Sequence, residues 1–84
     1  MSYRVLIHLK AEKEISDLPA KMGARIKAKI LLLESHPRPP GSKKLQNTDD
    51  YRLRAGDYRI IYSIDDSSRR VFILSVGHRR EIYR

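Results

Sequence analysis

The chain contains no cysteine. Disulfides and thiolate metal ligands are therefore excluded, and a cytoplasmic setting is the simple expectation. No apolar run approaches the ~20 residues needed to cross a bilayer, so no membrane span is expected. The opening Met1-Ser2-Tyr3-Arg4 lacks the long apolar core of a secretory signal. The histidines, His8, His36 and His78, are scattered, and no His-x-His or His/Asp/Glu spacing suggests a metal site. No serine stands in a nucleophile elbow, and no glycine-rich loop is present to cradle a nucleotide phosphate. Neither a metal nor a cofactor is expected.

Acidic residues are also scarce relative to basic ones. The 84 residues carry 18 Lys and Arg against 10 Asp and Glu, a formal charge of +8. That balance favours a polyanionic partner, either nucleic acid or an acidic protein. The length is that of one domain, residues 1–84, able to bury roughly 60–65% of its unfolded surface in one modest core.

The pattern predicts an α+β domain of order β-α-α-β-β-β, a helical hairpin packed on a small, mainly antiparallel sheet. Tyr3 to Leu9 is rich in β-branched and aromatic residues and reads as a strand. Lys10 to Leu18 reads as a short helix, with Ala11, Ile15 and Leu18 on one face. Pro19 stops it and opens a longer helix over Lys21 to Ser35, whose apolar stripe is Met22, Ile26, Ile30 and Leu33. His36-Pro-Arg-Pro-Pro-Gly41 is a loop, and Ser42 to Asp50 reads as a polar connector with one apolar anchor, Leu45. Strands at 51–55, 58–65 and 70–77 form a meander, because Ala55-Gly56-Asp57 and Asp66-Ser67-Ser68 are turn-like.

The strands place arginine at nearly every charged slot. Arg52 and Arg54 are two apart and share a sheet face, while Leu53 points the other way. Arg59 lies across a tight turn and converges with them. Cations clustered on a sheet repel one another unless an anion sits there. Arginine suits a phosphate, since its planar fork binds two oxygens and never deprotonates. The competing explanation is a solvated face with Arg–Asp pairs. Asp49, Asp50, Asp57, Asp65 and Asp66 are available, but four of these five fall in turns or at strand ends.

Arg79 and Arg80 follow Gly77, and Tyr83 lies four residues beyond Arg79. A terminal tyrosine is either a packing anchor or, beside a phosphate site, a group that stacks on a base or deprotonates a ribose 2′-OH. His78 adjoins this block. Lys21, Arg25 and Lys29 repeat every four residues along the second helix, either as a solvated face or as contacts to a nucleic-acid backbone.

Tyr51-Arg-Leu-Arg-Ala-Gly-Asp-Tyr-Arg-Ile-Ile-Tyr62, followed by Val71-Phe-Ile-Leu-Ser-Val-Gly-His-Arg-Arg-Glu-Ile-Tyr83, resembles the RelE branch of the RelE/ParE toxin superfamily. Lys43-Lys44-Leu45 before the second block is similar too, and the likeness covers nearly the whole chain. The resemblance implies a toxin of a type II toxin–antitoxin pair that cuts mRNA in the ribosomal A site by metal-independent 2′-OH attack. Carried over position by position, it implies catalytic roles for Arg52, Arg54, Arg59, Arg79 and Tyr83. RNA or ribosome contacts are expected at Lys21, Arg25, Lys29, Lys43, Lys44, His78 and Arg80. The resemblance also implies a hetero-oligomer with a RelB-like antitoxin carrying an acidic segment. Some relatives have lysine at the positions of Arg52 and Arg54, so here those residues stabilise charge rather than move protons. Two other functions stay open from sequence: a ParE-like toxin that binds DNA gyrase without cutting RNA, and a general RNA-binding module.

Overall fold

The computed structural model describes residues 2–78. The elements run β1 (Arg4–Ile7), α1 (Leu9–Ser16), α2 (Ala20–Leu32), β2 (Ser42–Lys44), β3 (Asp50–Ala55), β4 (Tyr58–Asp65) and β5 (Arg70–His78). They build one mixed sheet in the order β1-β5-β4-β3-β2, in which only the β1–β5 pair is parallel.

The meander follows the expected pattern, but the region after the prolines does not. Ser42–Lys44 is an edge strand antiparallel to β3 rather than a connector. Ser-Lys-Lys offers no apolar alternation, so only backbone pairing with β3 reveals it. A short, lysine-bearing strand is also the usual way of blunting a sheet edge. Both helices end earlier than their apolar spacing suggests. Asp17 caps α1, and the Leu18 amide bonds back to the Ile15 carbonyl at 3.1 Å in a tightened last turn. Pro19 takes the cap position of α2 rather than its first turn.

The helices cover one face of the sheet. Ala11 and Ile15 of α1, and Ile26, Ile30 and Leu33 of α2 and its end, pack on Leu53, Ala55, Ile60, Tyr62, Val71, Ile73 and Val76. Tyr62 is fully buried, stacks on Tyr51 at 5.9 Å, and donates its hydroxyl to the Pro37 carbonyl at 2.9 Å. Burial raises the pKa of that phenol. The proline-rich loop is thus fastened over the end of the sheet that the helices leave uncovered. Arg38 completes the fastening. Its guanidinium holds both oxygens of Asp66 at 3.2 and 2.9 Å, donates to the Tyr51 hydroxyl at 3.0 Å, and lies over the Tyr51 ring at 5.1 Å. Tyr3 donates to the same Asp66 at 2.7 Å.

Where β1 stops, β5 would be left with an open edge. The His8 amide first bonds the Ile73 carbonyl at 3.0 Å. The β4–β5 register then shifts, with Ile61 opposite Ser75 and Tyr62 opposite Ile73, so Leu74 is the extra residue of a bulge. Beyond it, the Glu14 carboxylate of α1 accepts from the Val76 amide at 2.9 Å and the Ser75 hydroxyl at 3.1 Å. A helix side chain therefore replaces the missing strand.

Candidate nucleic-acid interface

Register places the basic side chains. Arg52 opposes Ile61 and Arg54 opposes Arg59 in the β3–β4 ladder, while Lys43 opposes Arg52 on β2. Directly opposed residues share a face, so Lys43, Arg52, Arg54 and Arg59 all lie on the face away from the helices. Leu53, Ile60 and Tyr62 point the other way into the core. Arg59 is only 6% exposed, a buried charge among the described residues, whereas Arg54 is exposed and Arg52 half-buried. Gly77 stands opposite Arg59 on β5 and brings no side chain to that place.

The β3–β4 turn adds a further cation. Gly56 has φ +62°, a left-handed conformation that glycine tolerates without strain. Its carbonyl accepts from Arg54 Nε at 3.3 Å, and a Cβ built on it would lie 3.4 Å from Arg25 Nη1. Arg25 of α2 thus reaches the same turn from the helix side, so two guanidinium groups flank it. Three of the five aspartates weighed as neutralising partners are engaged elsewhere. Asp49 lies 3.8 Å from Lys44, Asp66 binds Arg38, and Asp65 accepts from the Ser67 and Ser68 amides and the Ser67 hydroxyl inside its own turn. The hydrogen bonds from Ser67 and Ser68 hold the Asp65 carboxyl below its ordinary range.

Comparison with known proteins decides the family. A family model described as the ParE toxin of type II toxin–antitoxin system, parDE, matches residues 5–83. The chain belongs to the RelE/ParE toxin family. The Mycobacterium tuberculosis protein named toxin RelE is 34% identical over 85 residues, covering 98% of this chain and 87% of that protein. The Escherichia coli protein named mRNA interferase toxin RelE is 31% identical over 87 residues, covering 99% and 92%. Among solved structures, the RelE–RelB complex from Pyrococcus horikoshii matches with a TM-score of 0.84 at 36% identity, covering 94% of this chain and 97% of that one. The intact Escherichia coli RelBE toxin–antitoxin complex matches with 0.78 at 30% identity, covering 92% and 96%.

In this RelE/ParE-family toxin the predicted site residues divide into three groups. Arg52, Arg54, Arg59 and Lys43 come together on one face, with Arg25 at its rim. Lys44 and His78 do not join them. Lys44 opposes Tyr51 and so lies on the helix side. His78 opposes Tyr58 and meets its ring edge-on at 5.6 Å, beside an open cleft of about 320 Å³ that also includes Glu14, Asp17 and Leu18. Adjacency in sequence to Arg79 suggested the arginine cluster, but period-two alternation turns His78 to the opposite face. Lys21 is exposed and Lys29 half-buried on α2. Arg79, Arg80 and Tyr83 lie outside the described residues. Glu14 was not foreseen, because a lone acid on the helix gives no signal of the strand amide it caps. No helix among the described residues is long and apolar enough to cross a membrane.

Proposed function

We propose that this toxin is a ribosome-dependent mRNA endoribonuclease that inhibits translation by cutting message in the A site. The observation that carries the reading is the directly opposed Arg54–Arg59 pair, with Arg59 buried, on the sheet face away from the helices. Like charges so placed cost stability unless an anion bridges them. The name of the Escherichia coli relative, an mRNA interferase, agrees with a phosphodiester as that anion.

The chemistry requires no metal. The ribose 2′-oxygen attacks the adjacent phosphorus, the bond from phosphorus to the 5′-oxygen breaks, and a 2′,3′-cyclic phosphate and a free 5′-hydroxyl result. Arg59 and Arg79 bind the scissile phosphate and neutralise charge that builds in the pentacoordinate transition state, and Arg52 and Arg54 extend the clamp. Tyr83 positions the 2′-hydroxyl and, as the phenolate favoured beside cations, takes its proton to become the neutral phenol, with water as its rival. The turn of His78 away from the arginines argues against that histidine as base. Arg79 donates a hydrogen bond to the leaving 5′-oxygen, which takes its proton from water. The ribosome supplies in-line alignment, an orientation effect that outweighs any single proton transfer. The partner that silences the toxin is an antitoxin of the kind complexed with its solved relatives.

The matched family model is named for ParE, and that favours one rival function, gyrase poisoning without RNA cleavage. Primer extension on translated message separates the two. Codon-spaced breaks that vanish with Arg59→Ala and Arg79→Ala support the nuclease. Intact message with an induced DNA-damage response would refute it. Each variant is expected to lose roughly 2–4 kcal/mol of transition-state stabilisation, about 30- to 1000-fold in rate.

A further inference from the structure

The face away from the helices does not end at the arginine cluster. Val5 and Val71 pack on the core side, so their neighbours Arg4 and Leu6 on β1, and Arg70 and Phe72 on β5, point to the same outer face as Arg59. Arg4 stands directly opposite Arg70. This is a second like-charged pair on that face, at the other end of the sheet. The acid nearest it in the ladder, Asp65, has its Oδ1 committed to the Ser67–Ser68 turn.

Between the two pairs lies the chain's one phenylalanine. Phe72 is half-buried, flanked by Leu6 on β1 and Ser63 on β4. Neither Leu6 nor Phe72 contributes to the core cluster that the helices cover. Four residues of β4 separate Arg59 from Ser63, roughly 13 Å, and the two arginine pairs stand roughly 20 Å apart. A flat aromatic between two sets of cations is the arrangement by which sheets bind single strands, the cations following the backbone and the ring stacking on a base.

We propose that this outer face carries a second nucleotide subsite, in which Phe72 stacks on a base and the Arg4–Arg70 pair grips a phosphate of the substrate strand. The inference rests on the nuclease reading above and extends it along the same RNA. The occupant is single-stranded RNA rather than an acidic peptide. A peptide would neutralise the arginines but would leave the ring between them without a planar partner.

The test uses the full chain and 2′-O-methyl oligoribonucleotides, which cannot undergo 2′-attack, in a length series from a dinucleotide to a dodecanucleotide. Fluorescence anisotropy reads affinity. Wild-type affinity is expected to rise with length. Phe72→Leu is expected to lose about tenfold on the long oligonucleotides and nothing on the dinucleotide, while Phe72→Tyr keeps the wild-type value. The Arg4→Ala/Arg70→Ala variant is expected to weaken only the longer ligands and to lower the slope of log K against log salt by about 0.7 for the phosphate lost. Arg70→Lys keeps that slope, and thermal melting verifies the fold of each variant. Affinity that does not grow with length, or variants that weaken all lengths alike, would overturn the subsite. So would variants that lose affinity for the antitoxin and not for RNA. Cleavage by wild type on programmed ribosomes judges the nuclease reading separately. A length-dependent loss in a protein that cuts nothing would retain the subsite and remove the nuclease.

Discussion

Arg54 and Arg59 stand directly opposite each other across the β3–β4 ladder, one exposed and the other 6% exposed. Like charges directly opposite one another destabilise a sheet. Stability and activity are therefore expected to move in opposite directions when Arg54 is changed. Arg54→Ala should leave the urea midpoint unchanged or raise it, while abolishing growth arrest. A variant that lost stability and kept activity would show that the pair serves the fold instead.

Arg54→Lys separates charge from geometry. If Arg54 supplies charge alone, lysine retains much of the activity, less the share owed to two-point phosphate contact. A new alkaline limb in the pH–rate profile of the variant would mean that the lysine had gained a proton-transfer role that arginine lacks. Single-turnover cleavage on programmed ribosomes, repeated across pH, reads both outcomes.

Glu14 offers a test of how the site is held in place. Its carboxylate substitutes for a strand at the β5 bulge by accepting from Val76 and Ser75. The same stretch leads through Gly77 to the Arg79 block. Glu14→Ala leaves a strand amide without its acceptor and is expected to cost roughly 1.5–3 kcal/mol. Glu14→Gln keeps an oxygen at that place and should lose much less. Hydrogen exchange at the Val76 amide should rise in Glu14→Ala and stay near wild type in Glu14→Gln. Unchanged protection in the alanine variant would contradict the capping role.

The meander and the arginine face were legible in sequence because period-two alternation is strong there. Leu53, Ile60 and Tyr62 alternate cleanly with Arg52, Arg54, Arg59 and Ile61. His78 neighbours Arg79 in sequence, yet the same alternation sets it opposite Tyr58 on the helix side of the sheet. β2 escaped because Ser-Lys-Lys has no apolar signature and is defined by its partner. The Arg38–Asp66–Tyr3 network and the Glu14 cap join residues 28 to 63 positions apart. Single-chain periodicity carries no information about such pairs.

That network predicts two limbs of pH dependence. Hydrogen bonds from Arg38, and then from Tyr3, hold the Asp66 carboxyl below its ordinary value, while the bond to Asp66 raises the Tyr3 phenol. A lowered carboxyl contributes stability above its unfolded pKa of about 3.9 and loses it as pH falls through the folded value. A raised phenol contributes below its unfolded pKa of about 10 and loses it as pH rises through the folded value. Asp66→Asn should flatten the acid limb of urea midpoint against pH, and Tyr3→Phe the alkaline limb. Asp66 is exposed and Tyr3 only half-buried, so the effects are expected to be small and to shrink with added salt. Wild-type slopes retained in both variants would place the pH dependence elsewhere.

Neutralisation by an antitoxin follows from the same charge distribution. A protein of charge +8 with opposed arginines on one face is expected to attract an acidic, partly disordered segment that folds as it binds. Apolar contacts are available too. Leu9 is 83% exposed at the start of α1, and Leu31 and Leu32 are 62% and 48% exposed at the end of α2. A partner that crosses the helices can bury these leucines and still reach the arginines around the sheet edge. Steering of this kind acts on the association rate, whereas burial of leucine acts on dissociation. Stopped-flow binding across a salt series should therefore show association slowing steeply with ionic strength. Leu31→Ser should speed dissociation and leave association unchanged. An association rate that is flat in salt would exclude arginine-directed steering. A Leu31→Ser complex that dissociates at the wild-type rate would move the docking route away from the C-terminal end of α2.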